Sequence, residues 1–156
     1  MIIHARVDER LIHGQVAMVW TNFLKADRLY VVNDDAWQNE IVLGALQLAR
    51  PAGKNVTVSS VRRAVVNFKH DKYKDENVFV ITKNIADMKV LVEELGLTMF
   101  NVGNISKVDG STQIKNSVSL TPEDIANLKE MVDNGVNITA RMVPGEPDDS
   151  IMKFIK

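Results

Sequence analysis

One short segment of the chain combines residue types that could carry phosphate chemistry. The segment RVDERLIHGQ places Arg6 and Arg10 before His13, which Gly14 follows directly. A neutral imidazole is a nucleophile near pH 7, and planar guanidinium groups suit phosphate oxygens. Gly14 would let the backbone approach a bulky group closely, and Asp8 could orient an arginine or the ring. These residues suggest a phosphohistidine, although a lone histidine before a helix is more often a surface or capping residue.

The rest of the sequence excludes several other kinds of site. It contains no cysteine, which excludes a disulfide framework, a thiolate zinc site and a cysteine nucleophile. It has neither a P-loop nor a dinucleotide fingerprint after the first strand. His4, His13 and His70 lack metal-ligand spacing, so we expect neither a metal nor a cofactor. The balance of 19 basic and 20 acidic residues argues against a nucleic-acid partner and against an anionic membrane surface.

The elements that must position these residues follow from hydrophobic patterning. Short apolar segments predict strands over 2–6, 28–33, 55–60, 77–82, 97–103 and 136–141. Amphipathic segments predict helices over 14–26, 40–49, 61–69, 85–95, 121–135 and 148–155. Strands and helices that alternate through short connections form parallel sheets with helices on both faces. We therefore expect one open α/β domain over 1–156, with an extra or antiparallel strand in 111–120.

In such a sheet, ligands bind outside the carboxyl ends of the strands. This rule selects the loops 6–14, 33–35, 59–60, 82–84, 101–104 and 141–145. The histidine segment lies in the first of them, at the start of the first helix. Free N–H groups and the helix dipole favour an anion at such a helix end.

No apolar run approaches the roughly 20 residues that a membrane span needs. The segment MIIHARVDER reaches charged residues after three apolar positions, which is not typical of a signal peptide. We expect a cytoplasmic protein that does not insert into a membrane.

Several motifs of the chain resemble those of one protein family. RVDERLIHGQV closely resembles the first-loop motif of the IIB components of the mannose/fructose/sorbose family of the bacterial sugar phosphotransferase system (PTS). The resemblance continues in VVNDD, FNVGN and GSTQIKNSVSLTPEDI, and so covers essentially the whole chain. It implies a sheet of about seven strands, mostly parallel, with the first strand near the middle and one antiparallel strand in 111–120.

The resemblance also implies the residues of an active site. His13 matches the histidine that the family phosphorylates at Nδ1. Arg6, Asp8 and Arg10 match the charged positions of the active-site loop and are expected to be catalytic. Further residues of this motif and of the neighbouring loops are expected to bind the phosphate: Gly14, Gln15, Asn33, Asp34, Thr82, Asn101 and Gly103.

The function that the resemblance implies is a phosphoryl relay. A phosphohistidine on a IIA component donates to His13, and His13 donates to a sugar held by the membrane components IIC and IID. The sugar is expected to belong to the mannose, fructose, sorbose and N-acetylgalactosamine class, with Asn104 favouring an amino sugar. The chain would associate peripherally with the transporter, and a homo-oligomer stays open.

Two other hypotheses compete with the relay. A receiver-like signalling module would take a phosphate on Asp34 or Asp35, and it would need a magnesium-binding acid cluster at adjacent strand ends. Here the acids follow only the second strand. A non-catalytic binder of a phosphate-bearing ligand would use the same crevice without forming a covalent phosphate.

Overall fold

Six parallel strands form the central sheet of the computed structural model, which describes residues 1–155. Its order is β3–β2–β4–β1–β5–β8, and every pairing in it is parallel. A second, two-stranded antiparallel sheet pairs β6 with β7. The strands are β1 (Ile2–Asp8), β2 (Arg28–Val32), β3 (Asn55–Ser59), β4 (Val78–Thr82), β5 (Met99–Asn104), β6 (Thr112–Lys115), β7 (Val118–Leu120) and β8 (Asn137–Ala140).

Six α-helices connect the strands of the described chain. They are α1 (Gly14–Leu24), α2 (Asp34–Gln38), α3 (Glu40–Leu48), α4 (Val61–Lys69), α5 (Ile85–Leu95) and α6 (Pro122–Asp133). Polar side chains accept hydrogen bonds from backbone N–H groups at the start of five of these helices, namely Asn33, Asn39, Ser60, Asn84 and Thr121. At α1 the equivalent residue is His13, whose side chain makes no such bond.

Alternate strand residues enter two cores on opposite faces of the sheet. In β2, Tyr30 and Val32 pack with α4, α5 and α6, whereas Leu29 and Val31 pack on the face of α1, α2 and α3. In β1, Ala5 and Val7 belong to the first of these cores. Because strand side chains alternate between faces, His4, Arg6 and Asp8 point to the face that α1 covers. The first strand therefore places a row of polar side chains under the first helix.

The predicted fold class is confirmed, and its details differ in three places. The segment 111–120 forms the separate hairpin β6–β7 instead of an antiparallel strand within the main sheet. The acids after β2 begin the short helix α2, which the strand–helix pattern did not predict. The predicted terminal helix 148–155 is a single 3₁₀ turn, Ile151–Lys153. Each departure concerns elements of three to five residues, over which hydrophobic periodicity is too short to distinguish element types.

The helices of the described residues are short for a bilayer. Within residues 1–155, none is both long and apolar enough to cross a membrane.

Candidate active site

The segment between β1 and α1 reverses direction in five residues. The Leu11 N–H donates to the Asp8 carbonyl at 2.9 Å, and Leu11 itself has a left-handed backbone with φ of 61°. Leu11 and Ile12 are buried in the core under α1. Gly14 also has a positive φ, of 43°, which glycine adopts without steric cost. The two buried apolar residues thus anchor the loop, and the turn that follows leaves His13 at the surface.

His13 occupies the capping position of α1 without acting as a side-chain cap. Its backbone is extended, and its carbonyl accepts from the N–H groups of Val16 and Ala17. The ring is exposed and makes no hydrogen bond with any residue of 1–155. A histidine in this state keeps both ring nitrogens available to an incoming group.

Asp8 binds the guanidinium of Arg10 through two parallel hydrogen bonds. Its Oδ1 accepts from Arg10 Nε at 3.1 Å, and its Oδ2 accepts from Arg10 Nη2 at 3.0 Å. Oδ1 also accepts from the Arg10 backbone N–H at 3.0 Å. The Arg10 side chain keeps 25% of its surface exposed. This fork fixes the guanidinium plane while one edge of the group still faces solvent.

Arg6 approaches the same carboxylate from the interior. Its Nη2 donates to Asp8 Oδ2 at 3.2 Å, and its Nη1 donates to Asn101 Oδ1 at 2.6 Å and to the Arg141 carbonyl at 3.1 Å. Only 2% of Arg6 is exposed. Burial lowers the pKa of the Arg6 guanidinium from its ordinary value, whereas the charge and hydrogen bond of Asp8 raise it. We refer to Arg6, Asp8 and Arg10 as the charged cluster.

A narrow cavity lies between His13 and the two buried members of the charged cluster, Arg6 and Asp8. Arg6, Asp8 and His13 line it together with apolar residues of the core under α1. Its volume of about 10 Å³ is close to the space that one water molecule needs. The cavity shows that the histidine loop lies directly over the buried charges.

Trp20 and the segment after β8 complete the surroundings of Arg6. The Trp20 ring lies 5.2 Å from the guanidinium carbons of both Arg6 and Arg141, within the range of cation–π attraction. Its indole N–H donates to the Met142 carbonyl at 2.8 Å. Arg141 was not among the predicted site residues, although the loop 141–145 lies at the carboxyl end of a predicted strand.

His4 lies below Trp20 in the same layer. The two rings stack with their centroids 5.2 Å apart and an angle of 14° between planes, and Phe79 packs at 5.7 Å. Burial, followed by the charges of Arg141 and Arg6, lowers the pKa of His4 to about 4. Its Nε2 is buried and, among the described residues, has no hydrogen-bond partner. His4 is therefore a neutral core histidine near pH 7, but it is not the hydrogen-bonded core histidine that its position on a buried strand predicts.

A second contact holds the loop from its other side. The Glu9 N–H donates to the Asn104 carbonyl at 3.0 Å, and the Glu9 carboxylate accepts from the backbone N–H of Ser106 at 2.7 Å and from its hydroxyl. Glu9 was not among the predicted site residues. These contacts fasten the histidine loop to the chain that follows β5.

The remaining predicted phosphate-binding residues lie at the same edge, but several of their side chains have other partners. Asn33 Oδ1 accepts from the Ala36 N–H, and Asp34 Oδ1 accepts from the Val61 N–H. The Thr82 hydroxyl donates to the Asn84 carbonyl. Within residues 1–155 no hydrogen bond joins these three side chains to the charged cluster. Asn101 and Gly103 contact Arg6 instead, and Gly14 and Gln15 are exposed beside His13.

The acids after β2 do not form the cluster that a receiver-like module needs. Asp34 and Asp35 lie in the first turn of α2. In the part of the chain that the structure describes, no group of three histidine, cysteine, aspartate or glutamate residues is arranged to hold a metal ion.

Comparison with known proteins assigns the chain to a family. The model of the family described as "PTS system sorbose subfamily IIB component" matches residues 2–156. The chain belongs to this family of PTS IIB components. Its members are phosphotransferases of sugar transport, which work with a IIA component and with membrane components IIC and IID. The resemblance seen in the sequence motifs is thereby confirmed.

Individual IIB components are similar over nearly their whole length. The sorbose-specific EIIB component of Klebsiella pneumoniae is 35% identical over 152 residues, which cover 97% of this chain and 93% of that protein. The crystal structure of the IIB domain of the K. pneumoniae sorbose permease superposes with a TM-score of 0.94 and covers 99% of this chain and 96% of its own. The N-acetylgalactosamine-specific IIB component 1 of Escherichia coli has a TM-score of 0.90 at 27% identity, covering 97% of this chain and 99% of that one.

One relative combines two PTS components in its name. The mannose-specific EIIAB component of E. coli K12 is 33% identical over 152 residues, which cover 97% of this chain and 47% of that protein. This chain thus matches about half the length of that relative.

Proposed function

We propose that this IIB component carries a phosphoryl group on Nδ1 of His13. The group comes from a phosphohistidine of a IIA component and leaves to a sugar hydroxyl in the IIC/IID assembly. In the first step the Nδ1 lone pair attacks phosphorus, and the bond between phosphorus and the donor nitrogen breaks. In the second step the sugar oxygen forms a bond to phosphorus, the bond to Nδ1 breaks and returns its electron pair to the ring, and the hydroxyl proton is released. The chain works in the cytoplasm, beside the membrane components.

The observation that carries this proposal is the pairing of a free histidine with a fixed cation. His13 is exposed, has no side-chain partner within residues 1–155 and lines the same narrow cavity as Arg6 and Asp8. Arg10 is held on Asp8 in a fork, and its Nη1 has no acceptor among the described residues. Phosphoryl transfer depends mainly on positioning and on stabilising charge around phosphorus. A preorganised guanidinium three residues before a free imidazole, on the same loop, meets both needs.

The helix that starts at His13 adds a smaller contribution. The first N–H groups of α1 have no carbonyl partners within the helix, and the helix dipole is positive at this end. Gly14 has no Cβ, and nothing lies within 4 Å of the position that one would take. A phosphoryl group on His13 therefore has room beside these N–H groups.

The IIA donor is supported by the E. coli relative whose name joins the A and B components. The sugar belongs to the mannose, fructose, sorbose and N-acetylgalactosamine class, since relatives of this chain carry names with each of these sugars. The chain itself needs no sugar pocket in this relay, because IIC and IID hold the sugar.

Labelling with phosphoenolpyruvate, the general PTS proteins and a cognate IIA tests the proposal. One phosphate that survives alkali should appear on the protein, because phosphohistidine is stable there and phosphoaspartate is not. His13→Ala should abolish the label and leave the circular-dichroism spectrum unchanged, since the exposed ring makes no contact that the fold needs.

His70→Ala is the matched control, because His70 is an exposed histidine at the end of α4. This variant should be labelled like the original protein. Continued labelling of the His13→Ala protein would show that the acceptor is another residue. A stoichiometric, non-covalent phosphate ligand without any label would favour the binder hypothesis instead.

A further inference from the structure

Gly103 differs from the other glycines in what surrounds it. A Cβ built on Gly103 would lie 2.0 Å from Arg6 Cζ and 2.1 and 2.2 Å from its two terminal nitrogens, whereas ordinary contact starts at 3.4 Å. The other seven glycines have nothing within 4 Å of the same position. Gly103 has no positive φ, so its backbone conformation does not require glycine. The missing side chain is the space that the Arg6 guanidinium occupies.

Three further groups enclose that guanidinium. Asn101 Oδ1 and the Arg141 carbonyl take both hydrogens of Nη1, and the Trp20 ring covers one face. Asn101 is itself fixed, since its Nδ2 donates to the Arg141 carbonyl at 3.1 Å. We call Trp20, Asn101, Gly103 and the Arg141 carbonyl the Arg6 socket.

The geometry points to a division of labour between the two arginines. We propose that Arg6 is a positioning residue, held by the Arg6 socket, that acts on the transferred phosphoryl group only through Asp8 and Arg10. This inference rests on the proposed function of His13. It gives Asn101 and Gly103 a different role from direct phosphate binding, because both contact Arg6 from inside the fold.

The charges of the cluster explain why a buried arginine serves this purpose. Asp8 alone would neutralise Arg10, and the pair would attract a phosphoryl group weakly. Arg6 offsets the carboxylate from the buried side and leaves the cluster one net positive charge, which Arg10 presents at the surface. Arg6 also takes one Asp8 oxygen and so fixes the angle at which the carboxylate holds Arg10.

A double-mutant cycle between positions 6 and 103 tests the inference. In Gly103→Ala the guanidinium must move by roughly 1.4 Å, the difference between ordinary contact and the 2.0 Å approach. Displacements of about 1 Å in a supporting group can slow catalysis about 100-fold. We expect a loss of this order in the rate constant of transfer from phosphorylated IIA at saturation, measured by rapid quench. The Kd for IIA should change much less than the rate constant, because Gly103 is buried and makes no contact at the surface.

The Arg6→Lys background shows whether Gly103 acts by making room for Arg6 or by binding phosphate directly. A lysine side chain lacks the planar fork that fills the space beside Gly103, so Arg6→Lys alone should slow transfer. In that background, Gly103→Ala should change the rate constant by less than about twofold, because independent sites add and coupled sites do not. Gly44→Ala is the control, since Gly44 is exposed and its Cβ position is open; it should transfer at the original rate.

Equal losses from Gly103→Ala in both backgrounds would overturn the inference, as would an unchanged rate in the Arg6 background. If Gly103→Ala does not fold, the original protein provides the measurement. With arginine labelled by ¹⁵N, phosphorylation should shift the Nε–H signal of Arg10 and leave that of Arg6 nearly in place. A shift at Arg6 as large as that at Arg10 would equally overturn the inference. If the original protein takes no phosphate on His13, the proposed function fails instead, and the labelling experiment detects that separately.

Discussion

The buried His4 makes the folding stability of this protein dependent on pH. The pKa of His4 is about 4 in the folded protein and 6.5 in an exposed chain. Below pH 6.5 the unfolded state therefore binds a proton that the folded state refuses, so stability falls as pH falls. The free energy of unfolding is not reduced by this proton uptake above about pH 7.5, and it falls progressively as the pH approaches 4.

The size of this effect follows from the pKa difference. One pKa unit corresponds to about 1.4 kcal/mol, so the full difference between 6.5 and about 4 is worth about 3 kcal/mol. Between pH 8 and pH 5, the titration of His4 lowers the free energy of unfolding by about 2 kcal/mol. His4 is only 6% exposed, so solvent screens this contribution little.

Urea unfolding at pH 8 and pH 5 measures the effect, with His4→Phe as the matched variant. Phenylalanine keeps the stacking on Trp20, cannot titrate and removes the unpaired Nε2. The free energy of unfolding of the original protein should fall by about 2 kcal/mol more than that of His4→Phe between the two pH values. His70→Gln should keep the full pH dependence. A difference between His4→Phe and the original protein that stays constant with pH would refute the reasoning.

Three further predictions concern the charged cluster and the partners. Arg10→Ala should slow phosphoryl transfer by about 100-fold or more, because a preorganised cation is lost where charge accumulates. Arg10→Lys should restore only part of the rate, because an ammonium group lacks the planar fork. If both variants transfer at the original rate, Arg10 does not take part in the site. Asp8→Asn should lower the free energy of unfolding, measured by urea unfolding, by about 3 kcal/mol, because it leaves the buried Arg6 without its carboxylate. A loss below about 1 kcal/mol would contradict the pairing of Asp8 with Arg6. IIA and the detergent-solubilised IIC/IID assembly should compete in NMR titrations for one surface around 6–15, 33–37, 82–84 and 101–104; simultaneous binding would show that His13 is not their shared contact.

The sequence predicted the scaffold well because its strands are buried on both faces. Segments such as VFVIT in β4 are continuous apolar runs, which are typical of parallel strands covered by helices. The end of β1 was harder to predict, because Arg6 and Asp8 are charged, and the predicted strand stopped at position 6. In the structure β1 continues through Asp8, where Val7 pairs with Thr82 and Asp8 with Asn104. Alternation of polar residues at positions 4, 6 and 8 was the signal for a strand with one polar face.

The site was predictable as a set of residue types but not as an arrangement. The motif identified His13 and the charged cluster, which one segment of the chain supplies. The Arg6 socket comes from α1, β5 and the chain after β8, and no local pattern connects these segments. Gly103 shows the limit most clearly, because a glycine in a strand indicates a close approach of some group without naming the group.

The place of β1 in the sheet has a consequence for how the molecule folds. β1 lies between β4 and β5, and the partners of Arg6 are 95 and 135 residues away along the chain. Contacts of such long sequence separation slow folding, because a large loop must close before they form. During synthesis the histidine segment emerges early, but Arg6 has only Asp8 as a partner until β5 and then β8 have joined the sheet. The Arg6 socket, and the orientation that it gives to Asp8 and Arg10, therefore arise only in the finished fold.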